Sequence, residues 1–181
     1  MAEPKSNIIL IGMPGSGKST VGVILAKLTS LGFADTDVLI QISEGRSLQE
    51  IVDGDGYMAL RKIEEEILLH LDCLNHVIAT GGSAVYSHIA MEHLKQDGLV
   101  VFLDVDITTL ESRIRDFENR GLAKRPDQTL ADLFRERYPL YTKYADMTVA
   151  CAGLTHEQVC ASIIEEWRRA VTMNPGRPTG G

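Results

Sequence analysis

Basic residues are the minority in this chain. Its 18 lysines and arginines stand against 25 aspartates and glutamates, a formal net charge of −7. General nucleic-acid binding needs a basic face for phosphate contacts, so that class is excluded; a local basic site for a small anion is not. Cysteine is scarce as well. Cys73, Cys151 and Cys160 form no C-x-x-C pair, which argues against a zinc site and against a disulfide framework. They read as reduced thiols packed in or near a core, in a cytoplasmic protein. The five histidines show no metal-ligand spacing. Apolar runs are short, and none approaches a membrane span. The run from Ile8 passes straight into a glycine-rich loop, unlike a secretory leader. There is no internal repeat.

The length, 181 residues, suits one α/β domain with a real core and is too short for two. Hydrophobic residues make up 44% and charged residues 24%, ordinary for a globular protein. The most informative stretch is 12–19, Gly-Met-Pro-Gly-Ser-Gly-Lys-Ser, a complete G-x-x-x-x-G-K-S phosphate loop. Glycines let the backbone wrap a polyphosphate where side chains would obstruct it. The N–H groups then face the anion at a helix N-terminus, where the dipole is positive. Lys18 can reach the β- and γ-phosphates, and the Ser19 hydroxyl can ligate Mg²⁺. A short apolar run over 7–11 precedes the loop, and the spacing predicts a helix over 19–31 with Val21, Ile24, Leu25 and Leu28 on one face.

Apolar runs and amphipathic segments alternate along the rest. Gly32 is placed as a left-handed cap of the first helix. A short helix is expected through Ser43, and Ser47-Leu48-Gln49-Glu50 is a capping box that starts another. The longest helical stretch spans 57–74. Strands are expected at 76–79, 99–103 and 147–150, and helices at 88–96, 108–117 and 155–171. The 130–138 helix should be interrupted by Pro139. Residues 118–127 are polar, charged and broken by Gly121 and Pro126, which predicts a mobile lid. The tail 174–181 is rich in proline and glycine and is expected to be disordered. The alternation implies a doubly wound parallel sheet of about five strands, covered by helices on both faces, in one domain over 1–173. Ligands sit at the C-terminal strand ends of such folds, where the phosphate loop, Asp35, Asp37, Gly81 and Gly82 should converge.

Several acceptor-side residues have two readings each. Asp35 and Asp37 would face opposite ways in extended chain. One carboxylate can hold the water shell of Mg²⁺ and the other can orient an acceptor hydroxyl; alternatively the pair is a solvated turn capping the next helix. Arg61 and Glu64 share a helix face, so Glu64 can hold the guanidinium, or the two form a surface pair. Thr80-Gly81-Gly82 allows close approach of backbone to ligand, or is a plain turn. Arg137 lies near the site, or on a solvated helix end at Pro139.

Together these residues resemble the shikimate kinase family. The resemblance runs from Ile8 to Val149. It rests on the phosphate loop with Thr20, on Asp35-Thr36-Asp37, Gly45-Arg46-Ser47 and Asp55-Gly56, and on Leu60-Arg61-Lys62-Ile63-Glu64, Thr80-Gly81-Gly82 and Arg137-Tyr138-Pro139-Leu140-Tyr141. It implies a P-loop NTPase-like fold and ATP-dependent phosphorylation of the 3-hydroxyl of shikimate by a monomer. The implied nucleotide site is Gly15, Ser16, Gly17, Lys18, Ser19 and Thr20, with Arg113 near adenine. Ser19 and Asp35 match the Mg²⁺ side. Asp37, Arg61, Gly81, Gly82 and Arg137 match the acceptor site, on helices within about 38–74 and beyond. Lys18, Asp37 and a lid arginine would carry catalysis. Arg120-Gly121-Leu122-Ala123 matches the lid motif loosely and at the closer spacing, so Arg120 is the expected lid arginine and Arg125 the alternative. This chain departs from the family at Leu60, where the family has Phe, and at Ser83, where it has a third glycine. The alternatives are a kinase for another hydroxy acid such as gluconate, and a non-catalytic nucleotide-binding module.

Overall fold

The computed structural model of the chain describes residues 5–114 and 121–172. Its element order is β1 (Asn7–Ile11), α1 (Lys18–Thr29), β2 (Gly32–Asp35), α2 (Thr36–Glu44), α3 (Leu48–Asp55), α4 (Tyr57–Leu69), β3 (His76–Ala79) and a 3₁₀ turn (Ala84–Tyr86). There follow α5 (His88–Asp97), β4 (Gly98–Asp104), α6 (Ile107–Arg113), α7 (Leu130–Tyr144), β5 (Met147–Ala150) and α8 (His156–Thr172). The five strands pair in parallel in the order β2-β3-β1-β4-β5. All strand C-termini therefore lie on one edge, and β1, which feeds the phosphate loop, is central.

Strand side chains alternate between two faces, so the core divides in two. Ile9, Ile11, Ile78, Val100 and Phe102 pack towards α5 and α7, while Ile8, Leu10, Val77, Val101 and Leu103 pack towards α1 and α8. A third, smaller cluster joins α2, α3 and α4: Ile40, Ile51 and Leu60 bury themselves together with Ala123. That cluster seats the 121–128 segment against the three helices. Gly121 reinforces the seat. Its φ is +59°, its N–H donates to Gln49 at 2.5 Å, and a Cβ would strike the backbone where α3 begins.

The capping box at Ser47 and Glu50 forms as the sequence predicts. Four expectations need correction. The helix of α7 does not stop at Pro139 but continues to Tyr144. Leu133, Arg137, Tyr141 and Tyr144 are all buried along one face of it, so packing on both sides of the proline outweighs the lost backbone bond. Ser30, at φ 58°, takes the left-handed cap of α1 rather than Gly32, which opens β2. Leu28 is 55% exposed; the buried face of α1 is Val21, Gly22, Leu25 and Ala26, a neighbouring stripe of the helix. Finally, α4 ends at Leu69 rather than 74. Residues 115–117 of the expected 108–117 helix, Arg120 in the lid and the tail 174–181 lie outside the described residues.

Candidate active site

The phosphate loop connects β1 to α1. Gly15 and Gly17 adopt φ of +80° and +96°, the left-handed region open to glycine, which bends the chain into the phosphate loop. Lys18 is the first residue of α1 and is only 8% exposed. Its Nζ donates to the Gly12 and Met13 carbonyls, at 2.8 and 2.9 Å. Burial pushes its pKa down to about 8, against the attraction of Asp37. Ser19 and Thr20 are exposed at the pocket rim. Arg113, at the end of α6, donates to the Gly15 carbonyl at 3.3 Å and so stands beside the phosphate loop.

Asp35 and Asp37 are not alternating residues of one extended strand. The chain turns into α2 between them, with Asp35 as N-cap, and Asp35 Oδ1 accepts from the Asp37 N–H at 3.0 Å. The other oxygen of Asp35 accepts from the Ser19 hydroxyl at 2.6 Å. One carboxylate thus both caps a helix, as one reading of the pair had it, and joins the phosphate loop through Ser19. Asp37 points into the cavity, and burial raises its pKa, with Lys18 acting in the opposite sense. Thr36, fully buried between them, accepts from the Gly81 N–H at 2.9 Å and ties this turn to the Thr80-Gly81-Gly82 loop.

At Gly81 a Cβ would collide with Glu64 Oε1 and lie 2.8 Å from Asp37 Oδ1, so the glycine is needed for close approach. Glu64 does not hold Arg61. It turns inward, 3% exposed, and accepts a hydrogen bond from the Ser83 hydroxyl. Desolvation pushes its pKa up to about 7, against the Ser83 bond. Ser83 thus contacts Glu64 in this structure. Arg61 instead lies over the Tyr86 ring, 3.6 Å from its centroid, and 3.8 Å from Glu136.

Arg137 is 1% exposed rather than at a solvated helix end. Its guanidinium and that of Arg61 meet on one atom: the Ala123 carbonyl accepts from Arg137 Nη2 at 2.9 Å and from Arg61 Nη2 at 3.3 Å. Arg125, the alternative lid arginine, ion-pairs Glu136 at 3.1 Å. Tyr141 donates to the Gly82 carbonyl at 2.7 Å and supports the glycine loop from behind.

One cavity of about 410 Å³ joins the phosphate loop to Asp37, Glu64, the glycine loop and Arg137. Gly15, Gly17, Lys18 and Arg113 line its phosphate-loop end; Asp37, Glu64, Gly81, Gly82 and Arg137 line the other. Arg61 does not line it directly but reaches it through Ala123. Sequence reasoning missed Thr36, Tyr86 and Glu136. Tyr86 and Glu136 act through a mutual hydrogen bond across 50 residues, which leaves no local signal; Thr36 was visible only as the middle of the Asp-Thr-Asp turn.

A parallel sheet with a phosphate loop on its central strand, facing an acidic residue and paired guanidiniums, defines a P-loop phosphotransferase for a small acidic acceptor. The family model described as shikimate kinase matches residues 14–168. A shikimate kinase of Thermodesulfovibrio yellowstonii is 37% identical over 166 residues, covering 90% of this chain and 95% of that protein. Among solved structures, a shikimate kinase from Acinetobacter baumannii in complex with shikimate has 31% identity and a TM-score of 0.83, covering 95% of this chain and 96% of that one. The Aquifex aeolicus shikimate kinase has 36% identity and a TM-score of 0.77, covering 90% and 96%. This chain belongs to the shikimate kinase family, and it is a kinase.

Proposed function

We propose that this chain transfers the γ-phosphoryl group of ATP to the 3-hydroxyl of shikimate, giving shikimate 3-phosphate and ADP, a step of aromatic amino acid synthesis through chorismate. The observation that carries the reading is the convergence of Arg61 and Arg137 on a single carbonyl oxygen inside the phosphate-loop cavity. Two guanidiniums aimed at one oxygen are the donor arrangement a carboxylate requires. The acceptor is therefore an acid whose carboxylate takes the place of the Ala123 carbonyl, with its hydroxyls towards Asp37. The gluconate alternative draws no support from the relatives above.

In-line phosphoryl transfer asks for positioning and charge neutralisation more than covalent chemistry. Lys18 leaves its loop carbonyls for the β- and γ-phosphates. Gly15, Ser16, Gly17, Ser19 and Thr20 cradle the phosphates, and Arg113 borders the adenine side. Asp37 accepts the hydrogen of the attacking hydroxyl and aims its oxygen at the γ-phosphorus. Its raised pKa suits a group that must receive that proton. Arg120 supplies positive charge to the transferred group from the lid. The Ser19 hydroxyl and the Asp35 carboxylate, 2.6 Å apart, fit Mg²⁺, a hard cation that takes oxygen ligands and keeps waters. When bound, Mg²⁺ neutralises phosphate charge; Ser19 and Asp35 are the residues that would hold it.

Residues 1–173 form the kinase domain in this reading, with the acceptor site on the 38–74 helices, a lid at 118–127 and a tail after 173. The chain works as a monomer in the cytoplasm, a setting that suits its three unpaired cysteines. Asp37→Asn tests the catalytic assignment. Turnover should fall by about 10² or more, while ATP binding persists. Near-normal turnover would remove Asp37 from the mechanism.

A further inference from the structure

Glu64 carries the least expected chemistry of the site. It is buried, yet its Oε1 has no hydrogen-bond partner among the described residues. That oxygen overhangs the Gly81 Cα together with Asp37 Oδ1, on the wall of the acceptor cavity. Its other oxygen, Oε2, is held by the hydroxyl of Ser83, itself 7% exposed. A buried carboxylate oxygen without a donor is costly, and polar cavities place such atoms where a ligand supplies the donor.

We propose that Ser83 is a positioning residue for the acceptor: it anchors one oxygen of Glu64 so that the other faces the cavity and accepts a hydrogen bond from an acceptor hydroxyl beside Asp37. This rests on the reading of the acceptor as shikimate, whose several hydroxyls provide a donor for each carboxylate. Ser83 touches no reacting atom; it acts through Glu64.

The groups around Glu64 make its charge state sensitive. Asp37 on α2 opposes a second negative charge. Lys18 on α1 and Arg137 on α7 favour one, and Tyr141 on α7 stays neutral with a pKa of about 12. Ser83 is the one donor that hydrogen-bonds the carboxylate directly among the described residues. Without it, desolvation and Asp37 keep the proton on Glu64 to higher pH.

The test is the pH profile of kcat/KM for shikimate in the wild type, Ser83→Ala, Ser83→Thr, Glu64→Gln and the Ser83→Ala/Glu64→Gln double variant. Ser83→Ala should raise the shikimate KM about tenfold at neutral pH and move the acid limb upward by about one pH unit, with the KM for ATP little changed. Ser83→Thr, which keeps the hydroxyl, should restore the limb. In the Glu64→Gln background, Ser83→Ala should add no further loss, because both changes break one contact. An unmoved acid limb in Ser83→Ala, or full multiplication of the two losses, overturns the proposal; neither outcome depends on the Thr variant folding. A wild type that turns over no shikimate overturns the acceptor reading and this proposal together. An active wild type with a silent Ser83→Ala overturns this proposal alone.

Discussion

The Arg137 guanidinium donates to the Ala123 carbonyl at 2.9 Å. A cation from the core helix α7 thereby holds the backbone of the 121–128 segment, and Arg61 of α4 reaches the same oxygen. In the proposed reaction the acceptor carboxylate would take donors from these two arginines, and the Ala123 carbonyl is the group it would compete with.

Arg137→Ala should therefore act on the acceptor and spare the nucleotide. Truncating a buried charge partner costs about 2–5 kcal/mol, so kcat/KM for shikimate should fall by about 30-fold to several thousandfold. Steady-state kinetics with each substrate varied in turn checks this. An equal rise in the KM for ATP would show that Arg137 serves the nucleotide instead.

Lys18 should take up a proton when nucleotide binds. Its pKa is about 8 in the unliganded protein because burial disfavours the charged form. Phosphate oxygens favour that form and raise the pKa again. At pH 8 to 9 a fraction of Lys18 is neutral, so ATP binding there draws protons from the buffer. Calorimetric titration in buffers of different ionisation enthalpy reads this directly. The uptake should vanish in Lys18→Met.

Glu64 makes a pH-dependent cost to stability. Its folded pKa is about 7, above the ordinary value of 4.5, so the folded state holds a proton that the unfolded state releases. Stability consequently falls as pH rises through that window and stays lower above it. Glu64→Gln removes the titration. The variant should be more stable than wild type at pH 8, by about 3 kcal/mol, with the gap closing below pH 4.5. Urea melts at both pH values measure it. A gap that widens on acidification would reverse the sign of the account.

Pro139 sits exposed inside α7, where a proline removes a backbone donor. Pro139→Ala should stabilise the protein by roughly 1–3 kcal/mol, since the helix geometry is already in place. Its effect on kcat/KM should be small, because neither Arg137 nor Tyr141 has to move. Chemical denaturation beside kinetics tests both halves.

What could be read along the chain was local. The phosphate loop, the capping box at Ser47 and the apolar strands β1, β3 and β4 each declare themselves within a few residues. Non-local partners did not. Proline read as a helix breaker because the buried faces on either side of it are invisible until α7 meets the sheet. Glu64 read as a mate for Arg61, three residues away on the same helix, but burial against Ser83 decides its partner and Tyr86 decides that of Arg61. Asp35 and Asp37 read as alternating because a strand was assumed to continue; the N-cap bond within the pair ends it. Lys18, Asp37, Gly81, Gly82 and Arg137, carried by motifs, line one cavity, while Arg61 and Asp35 stand behind its wall and the residues that orient them were supplied by the fold.

The most direct measurement is coupled ADP release with Mg-ATP, with and without shikimate, for the wild type beside Arg61→Ala. The account predicts release that depends strongly on shikimate and is lost in the variant, restored only in part by raising shikimate. Release indifferent to shikimate, or an Arg61→Ala variant as active as wild type, would contradict the carboxylate clamp on which the proposed reaction rests.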